Sequence, residues 1–259
     1  FLRRGLVQEV DEARAAREGL AQDAPLVSAM RAELGASSIP VMPGLALSGT
    51  SQSAEGVMAG DWWDAVRTPS GSLAVVVADV SGHGAVASVT AVRIRAILRA
   101  GLEAGIEPSQ LFAMAALATH DDPHFVTAMV AIIDPVAQTL RWSNAGHPPG
   151  IVVTLDKHAD SCEPTGPLLS VLGGEWGEHE RPFRGGDVLV MFTDGLVESR
   201  DSDGEELESD AVARMIRGMD AHVRENPEEV VARLMASARA RAVEWRKDDV
   251  TLVAISRPR

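Results

Sequence analysis

Four aspartates occupy positions where a carboxylate can do more than solvate a surface. Asp61 lies in the strand-like run Met58-Ala-Gly-Asp-Trp-Trp-Asp64, beside two tryptophans. Asp79 ends the apolar run 73–78 and opens into Ser-Gly-His-Gly. Asp194 ends a second apolar run and is followed by Gly195, while Asp248 and Asp249 stand directly before the run 250–255. Carboxylates at strand ends beside glycines leave room for hard cations and their waters, the oxygen-rich setting that Mg²⁺ or Mn²⁺ favours. Two cations sharing a carboxylate can activate a water between them and stabilise an in-line phosphoryl transition state, so hydrolysis needs no protein nucleophile. Taken singly, each aspartate has a plainer reading. Asp194-Gly195 is a competent turn, and Asp248-Asp249 can cap or open a loop. The four together shift the balance towards a site without deciding it.

These residues need strands to hold them. Apolar and β-branched runs predict strands over 45–49, 57–66, 73–80, 126–133, 139–144, 151–155, 188–192 and 250–255. Asp-Pro-Val-Ala-Gln (134–138) reads as a hairpin connection between the fourth and fifth. Helical patterns cover 84–100, 108–118, 209–219 and 227–243. Helices that come in sequence-adjacent pairs favour stacked antiparallel sheets flanked by helices over a doubly wound parallel sheet.

Residues 1–36 differ in character. Leu6, Ala13, Leu20, Val27 and Leu34 fall seven apart, a weak heptad pattern, and Pro25 should break the helix. A solvated surface helix fits this segment equally well. The chain opens Phe-Leu-Arg-Arg without an initiator Met or an apolar signal region, which reads as a piece of a longer protein. A net charge of −13 argues against nucleic acid as a partner. No apolar stretch approaches the roughly 18 residues needed to cross a bilayer, so no membrane role is expected. The single cysteine, Cys162, excludes an internal disulfide framework and suits a reducing cytoplasm. Neither of the two lysines, Lys157 and Lys247, follows a Gly-rich loop, which speaks against a P-loop or kinase-type phosphate grip.

Six short words then occur in order: Gly-Asp-Trp-Trp-Asp (60–64), Asp-Val-Ser-Gly-His-Gly (79–84), Phe-Val-Thr-Ala (125–128), Ser-Asn-Ala-Gly-His-Pro-Pro (143–149), Thr-Asp-Gly-Leu-Val-Glu (193–198) and Asp-Asp-Val-Thr-Leu (248–252). Together they resemble the bacterial SpoIIE/RsbU-like branch of the metal-dependent (PPM, type 2C) serine/threonine protein phosphatases, from about Val41 onward. The resemblance implies an α+β fold, an αββα sandwich of two mainly antiparallel sheets, with an N-terminal helical extension. It implies a phosphatase domain over 37–259 and a linker or regulatory segment over 1–36. It further implies two Mn²⁺ or Mg²⁺ ions, with Asp61 and Asp79 bridging them. The Val80 backbone carbonyl would join the first ion, Asp194 and Asp248 would complete the second, and Asp249 is the register alternative to Asp248. His83 stands where a general acid for the leaving serine oxygen could sit, although backbone capping is the stronger reading. Asp64 reads either as a weak further metal ligand or as a solvated strand-end carboxylate. No motif selects an arginine for the substrate phosphate.

The implied substrate is a phosphorylated anti-sigma-factor antagonist of the STAS fold in a partner-switching pathway. The N-terminal helices resemble a linker to an upstream GAF or PAS sensor and could form a homodimer. Asn144, Gly146 and His147 are expected to form a rigid turn, and Trp62 and Trp63 to pack. Two departures from the family pattern stand out: Ala59 replaces a usual glycine, and the stretch between Leu111 and Phe125 is short. Two rivals remain. One is a binding module of the same fold without catalysis. The other is a receiver-like domain phosphorylated on Asp79, which Lys157 and Lys247 fit poorly.

Overall fold

The computed structural model describes residues 34, 39–53, 60–82, 85–119, 124–243, 245 and 248–259. The N-terminal helices predicted over 1–34, Ala59 and His83 therefore lie outside the described residues, apart from Leu34. Within the residues described, ten strands follow in order: β1 Ala46–Gln52, β2 Trp62–Arg67, β3 Leu73–Val80, β4 Val126–Asp134, β5 Thr139–Ala145, β6 Gly150–Val153, β7 Ala159–Cys162, β8 His179–Pro182, β9 Val188–Phe192 and β10 Val250–Ser256. Among the described residues six helices have both bounds defined: α1 Ala85–Ala104, α2 Pro108–Leu117, α3 Asp194–Val197, α4 Ser209–Gly218, α5 Ala221–Arg224 and α6 Pro227–Arg241.

The strands form two five-stranded sheets, ordered β1-β10-β9-β6-β7 and β2-β3-β4-β5-β8. Every strand pairing within them is antiparallel. The expected α+β sandwich is therefore present. Its layering follows from the alternation of side chains along a strand. On β3, Ala74, Val76, Ala78 and Val80 meet Ile94 and Leu98 of α1 and Leu111 and Phe112 of α2 in one apolar cluster. Leu73, Val75 and Val77 join Leu189, Met191, Val253 and Ile255 of the other sheet in a central cluster. On β9, Val188, Val190 and Phe192 face Val212 and Ile216 of α4 and Val230 and Leu234 of α6. Three apolar layers separated by two sheets make the αββα order. Burial on both faces explains why β3 and β9 read as unbroken apolar runs.

The tryptophans obey the same parity. Trp62 belongs to the helix-side layer and Trp63 to the central one, so both pack, as expected. The predicted hairpin forms, with the Asp134 carboxylate accepting from the Val136 and Ala137 amides. Strands β7 and β8 and the four-residue helices α3 and α5 have no counterpart in the predicted elements.

Candidate metal centre

Register sets the carboxylates side by side. Trp62 pairs with Ala78 across β2 and β3, so one step further along the same antiparallel ladder Asp61 faces Asp79. Asp79 in turn pairs with Thr127 on β4. On the opposite sheet Ser51 pairs with Thr251. Thr251 exchanges backbone contact with Thr193, whose amide donates to the Thr251 carbonyl at 3.1 Å. Two polar rows, Asp61–Asp79–Thr127 and Ser51–Thr251–Thr193, thus close the same end of the central layer, one from each sheet. The site is the polar rim of the core between the sheets.

The rows touch. The Thr193 hydroxyl donates to Asp61 Oδ2 at 2.5 Å, and the Gly60 amide donates to Asp249 Oδ2 at 2.8 Å. Asp61 is 3% exposed, whereas Asp248 faces solvent. Burial, then the charge of Asp79, pushes the Asp61 carboxyl well above the usual carboxylate range. The Thr193 hydroxyl opposes that rise. Asp79 is pushed up to about 6, first by burial and then by Asp194, with Asp248 and Asp249 adding to it. Burial and Asp248 raise Asp194 as well. Carboxylates crowded until their ionisation is resisted constitute a site that a cation would relieve.

Two glycines keep backbone oxygens accessible. A Cβ on Gly60 would stand 2.6 Å from the Val80 carbonyl oxygen, and one on Gly195 would stand 2.0 Å from that of Asp249. Both contacts are too short for a real side chain. The groups expected as ligands, Asp61, Asp79, the Val80 carbonyl, Asp194 and Asp248, would offer oxygen alone, the chemistry that suits Mg²⁺ or Mn²⁺. Among the described residues, no group of three or more His, Cys, Asp or Glu side chains is already gathered as a ligand cluster. The carboxylates instead take nearby N–H and O–H groups: Asp61 that of Thr193, Asp249 that of Gly60, and Asp248 the Asp249 amide at 2.8 Å.

Asp64 departs from both expectations. It is 2% exposed, and its oxygens take Arg95 at 3.0 Å and Arg99 at 2.8 and 2.9 Å, both from α1. Three residues beyond Asp61 on a strand, it must face the opposite side of the sheet. It is neither a solvated carboxylate nor free to bind a cation at the rim. Asp248 and Asp249 also separate: Asp249 is tied to Gly60, while Asp248 lines an open cavity with Gly195. That cavity, of about 680 Å³, is walled by Glu198, Arg200, Asp201, Val243 and Trp245.

Asn144 and His147 form the expected turn. Asn144 donates to the carbonyls of His147 and Cys162, and accepts from the His147 amide. The buried His147 ring shares a hydrogen bond with the Thr127 hydroxyl at 2.8 Å, and burial pushes its pKa down to about 3. Sequence reasoning missed Thr193, Thr251, Ser51 and Thr127. Strand alternation was the signal that could have placed them on the face shared with Asp61 and Asp79.

Comparison with known proteins bears on the fold and the family. Residues 69–258 match the family Stage II sporulation protein E (SpoIIE). The chain is 25% identical over 205 residues to the phosphoserine phosphatase RsbU of Bacillus subtilis, covering 77% of this chain and 60% of RsbU. It thus spans about three-fifths of that relative. The RsbU and RsbW domains of Rv1364c from Mycobacterium tuberculosis superpose with a TM-score of 0.74 at 28% identity, covering 86% of this chain and 64% of that one. The PP2C phosphatase domain of SpoIIE from Bacillus subtilis gives 0.72 at 17% identity, over 84% and 64% of the two chains. Phosphatases of the PP2C type are metal-dependent. With that match over most of its length, on two sheets that meet at an aspartate-lined rim, the chain belongs to the SpoIIE family and carries its PP2C-type phosphatase fold.

Proposed function

We propose that the protein hydrolyses phosphoserine or phosphothreonine on a protein substrate, using divalent cations held at the aspartate rim. The observation that carries this is the facing of Asp61 and Asp79 across one ladder, with Asp194 and Asp248 brought against them from the other sheet. Asp61, Asp79, Asp194, Asp248 and the Val80 carbonyl are the oxygens that would hold two Mn²⁺ or Mg²⁺ ions. Such ions supply Lewis-acid charge neutralisation at the phosphoryl oxygens and make water a better nucleophile near neutral pH.

The chain's own residues set the conditions for that chemistry. Gly60 and Gly195 keep the approach to the Val80 and Asp249 carbonyls open. Asp249 accepts from the Gly60 amide, and we propose Asp248, which lines the cavity, as the fourth carboxylate. The apolar central layer behind the rim keeps water to the open side, where the cavity beside Asp248 leaves space for a polypeptide carrying the phosphorylated residue. In the overall reaction water adds to phosphorus, the bond to the serine oxygen breaks, and that oxygen leaves protonated. His83, outside the described residues, is the side chain we propose as donor of that proton.

The natural substrate we propose is a phosphorylated STAS-type anti-sigma-factor antagonist. Similarity to RsbU and to a chain carrying RsbU and RsbW domains supports a partner-switching setting. Residues 1–36 would serve as a linker to an upstream sensor and as a dimerisation element. No helix among the described residues is long and apolar enough to cross a membrane.

The test is Mn²⁺-dependent hydrolysis of p-nitrophenyl phosphate and of a phosphoserine protein. Asp79→Asn and Asp194→Asn should each lower the rate at least about a hundredfold. No hydrolysis by the wild-type protein with Mn²⁺ or Mg²⁺ would favour the binding-module reading. Full activity in both variants would overturn the assignment of the site.

A further inference from the structure

Thr193 carries the one side-chain contact described between the two polar rows that involves a proposed metal ligand. It directly follows β9 and precedes α3, the N-cap position of that helix. A threonine there ordinarily turns its hydroxyl to the helix's own amides. Thr193 does not; it makes no side-chain cap hydrogen bond. It is fully buried, and its Oγ1 accepts from the Thr251 amide at 2.9 Å. An amide can only donate, so the single hydroxyl proton remains for Asp61 Oδ2, 2.5 Å away. An ionised carboxylate can only accept, so with Asp61 charged the Thr193 hydroxyl is the donor. Thr251 is held in turn: its hydroxyl donates to Ser51 on β1 at 2.9 Å. The hydroxyl row thus runs over β1, β10 and the end of β9 before reaching across to β2.

We propose that Thr193 is a positioning residue, whose hydroxyl fixes one oxygen of Asp61, and so the plane of its carboxylate, for cation binding. This rests on the reading of the rim as a metal centre. Thr193 itself need not touch a cation. It acts through Asp61, in the manner of the hydrogen-bonded groups behind metal ligands, whose loss typically weakens affinity by about 10–100-fold. Asp61 needs such a partner more than the others, because it is the most buried of the four carboxylates and faces Asp79 directly.

The test compares Thr193→Ser, Thr193→Ala and Thr193→Val by calorimetric Mn²⁺ titration, alongside kcat and KM for p-nitrophenyl phosphate. Ser and Ala both lack the methyl group and differ only in the hydroxyl, so this pair isolates the bond even if the valine variant does not fold. Thr193→Ser should bind Mn²⁺ within about threefold of wild type, and Thr193→Ala at least about tenfold more weakly. Saturating Mn²⁺ should restore much of the alanine variant's kcat, and its KM should stay near wild type. Equal Mn²⁺ affinity in Thr193→Ser and Thr193→Ala, whether both normal or both weakened, overturns the proposal. Wild-type protein that neither binds Mn²⁺ nor hydrolyses phosphate would instead sink the metal-centre reading on which it rests.

Discussion

The Asp79 carboxyl resists ionisation because it is buried and repelled by Asp194, Asp248 and Asp249, a rise that its hydrogen bond with Asp61 only partly opposes. Its folded pKa of about 6 lies above the ordinary 3.8, so between those values the folded chain binds more protons than the unfolded one. The stability that Asp79 affects therefore falls as pH rises through that window, and stays lower above it. Asparagine carries no such cost. With metal chelated, Asp79→Asn should be more stable than wild type at about pH 7.5, by of order 1–2 kcal/mol, while losing hydrolysis. Near pH 4.5 most of that difference should be gone. Paired urea melts at the two pH values check this, and a constant difference would refute the electrostatic account. His147 titrates with the opposite sign, because its pKa is lowered to about 3. Comparing the variant with wild type at each pH cancels that background.

Single strands decide which carboxylate faces which layer. Asp61 turns to the inter-sheet rim and Asp64 to α1, where Arg95 and Arg99 clamp it. Removing one partner of a buried ion pair typically costs about 3–5 kcal/mol, because the other charge is left unpaired. Arg99 keeps 30% of its side chain exposed and can partly re-solvate. Asp64→Asn should therefore cost about 2–3 kcal/mol by urea melt, yet leave Mn²⁺ affinity of the folded protein within about twofold. A large loss of affinity at unchanged stability would return Asp64 to the metal site.

This also marks what the sequence could tell. The four proposed ligands could be picked out because Asp79 and Asp194 end apolar runs, Asp61 follows Gly60 at a strand start, and Asp248 stands just before an apolar run. The strands β3 and β9 were legible because both faces are buried. Strands β7 and β8 were not: Ala-Asp-Ser-Cys and His-Glu-Arg-Pro are short edge strands without apolar alternation. Helices α3 and α5, at four residues each, are too short to show a period. Thr193 was hidden for another reason. Before Asp-Gly, at the start of a helical turn, it reads as an ordinary cap, and only the pairing of β9 with β10 and the closeness of β2 reveal its other bond.

Over the whole molecule, the chain is laid down so that neither sheet is built from one continuous stretch. The first sheet takes β1 from the beginning of the sandwich and β10 from its end, and β2 to β5 with β8 form the second. The central apolar layer therefore holds together parts of the chain distant in sequence, and the rim forms only when that layer closes. One residue inside it has been of no use to catalysis. Cys162, on edge strand β7, is 1% exposed and packs in the central cluster, where burial pushes its thiol up to about 12. Sealed and protonated, it is close to inert towards a thiol reagent until the sandwich opens. The protein thus contains its own stopwatch. The rate at which Ellman's reagent modifies Cys162 should lag that of an unfolded control by about a thousandfold or more, and a rate near the control's would mean that the β6–β7 edge stands open. Because the chain has a single thiol, every labelling event is assigned without a variant. The frequency with which the core opens around Cys162 can then be read with and without Mn²⁺ on the unmodified sequence.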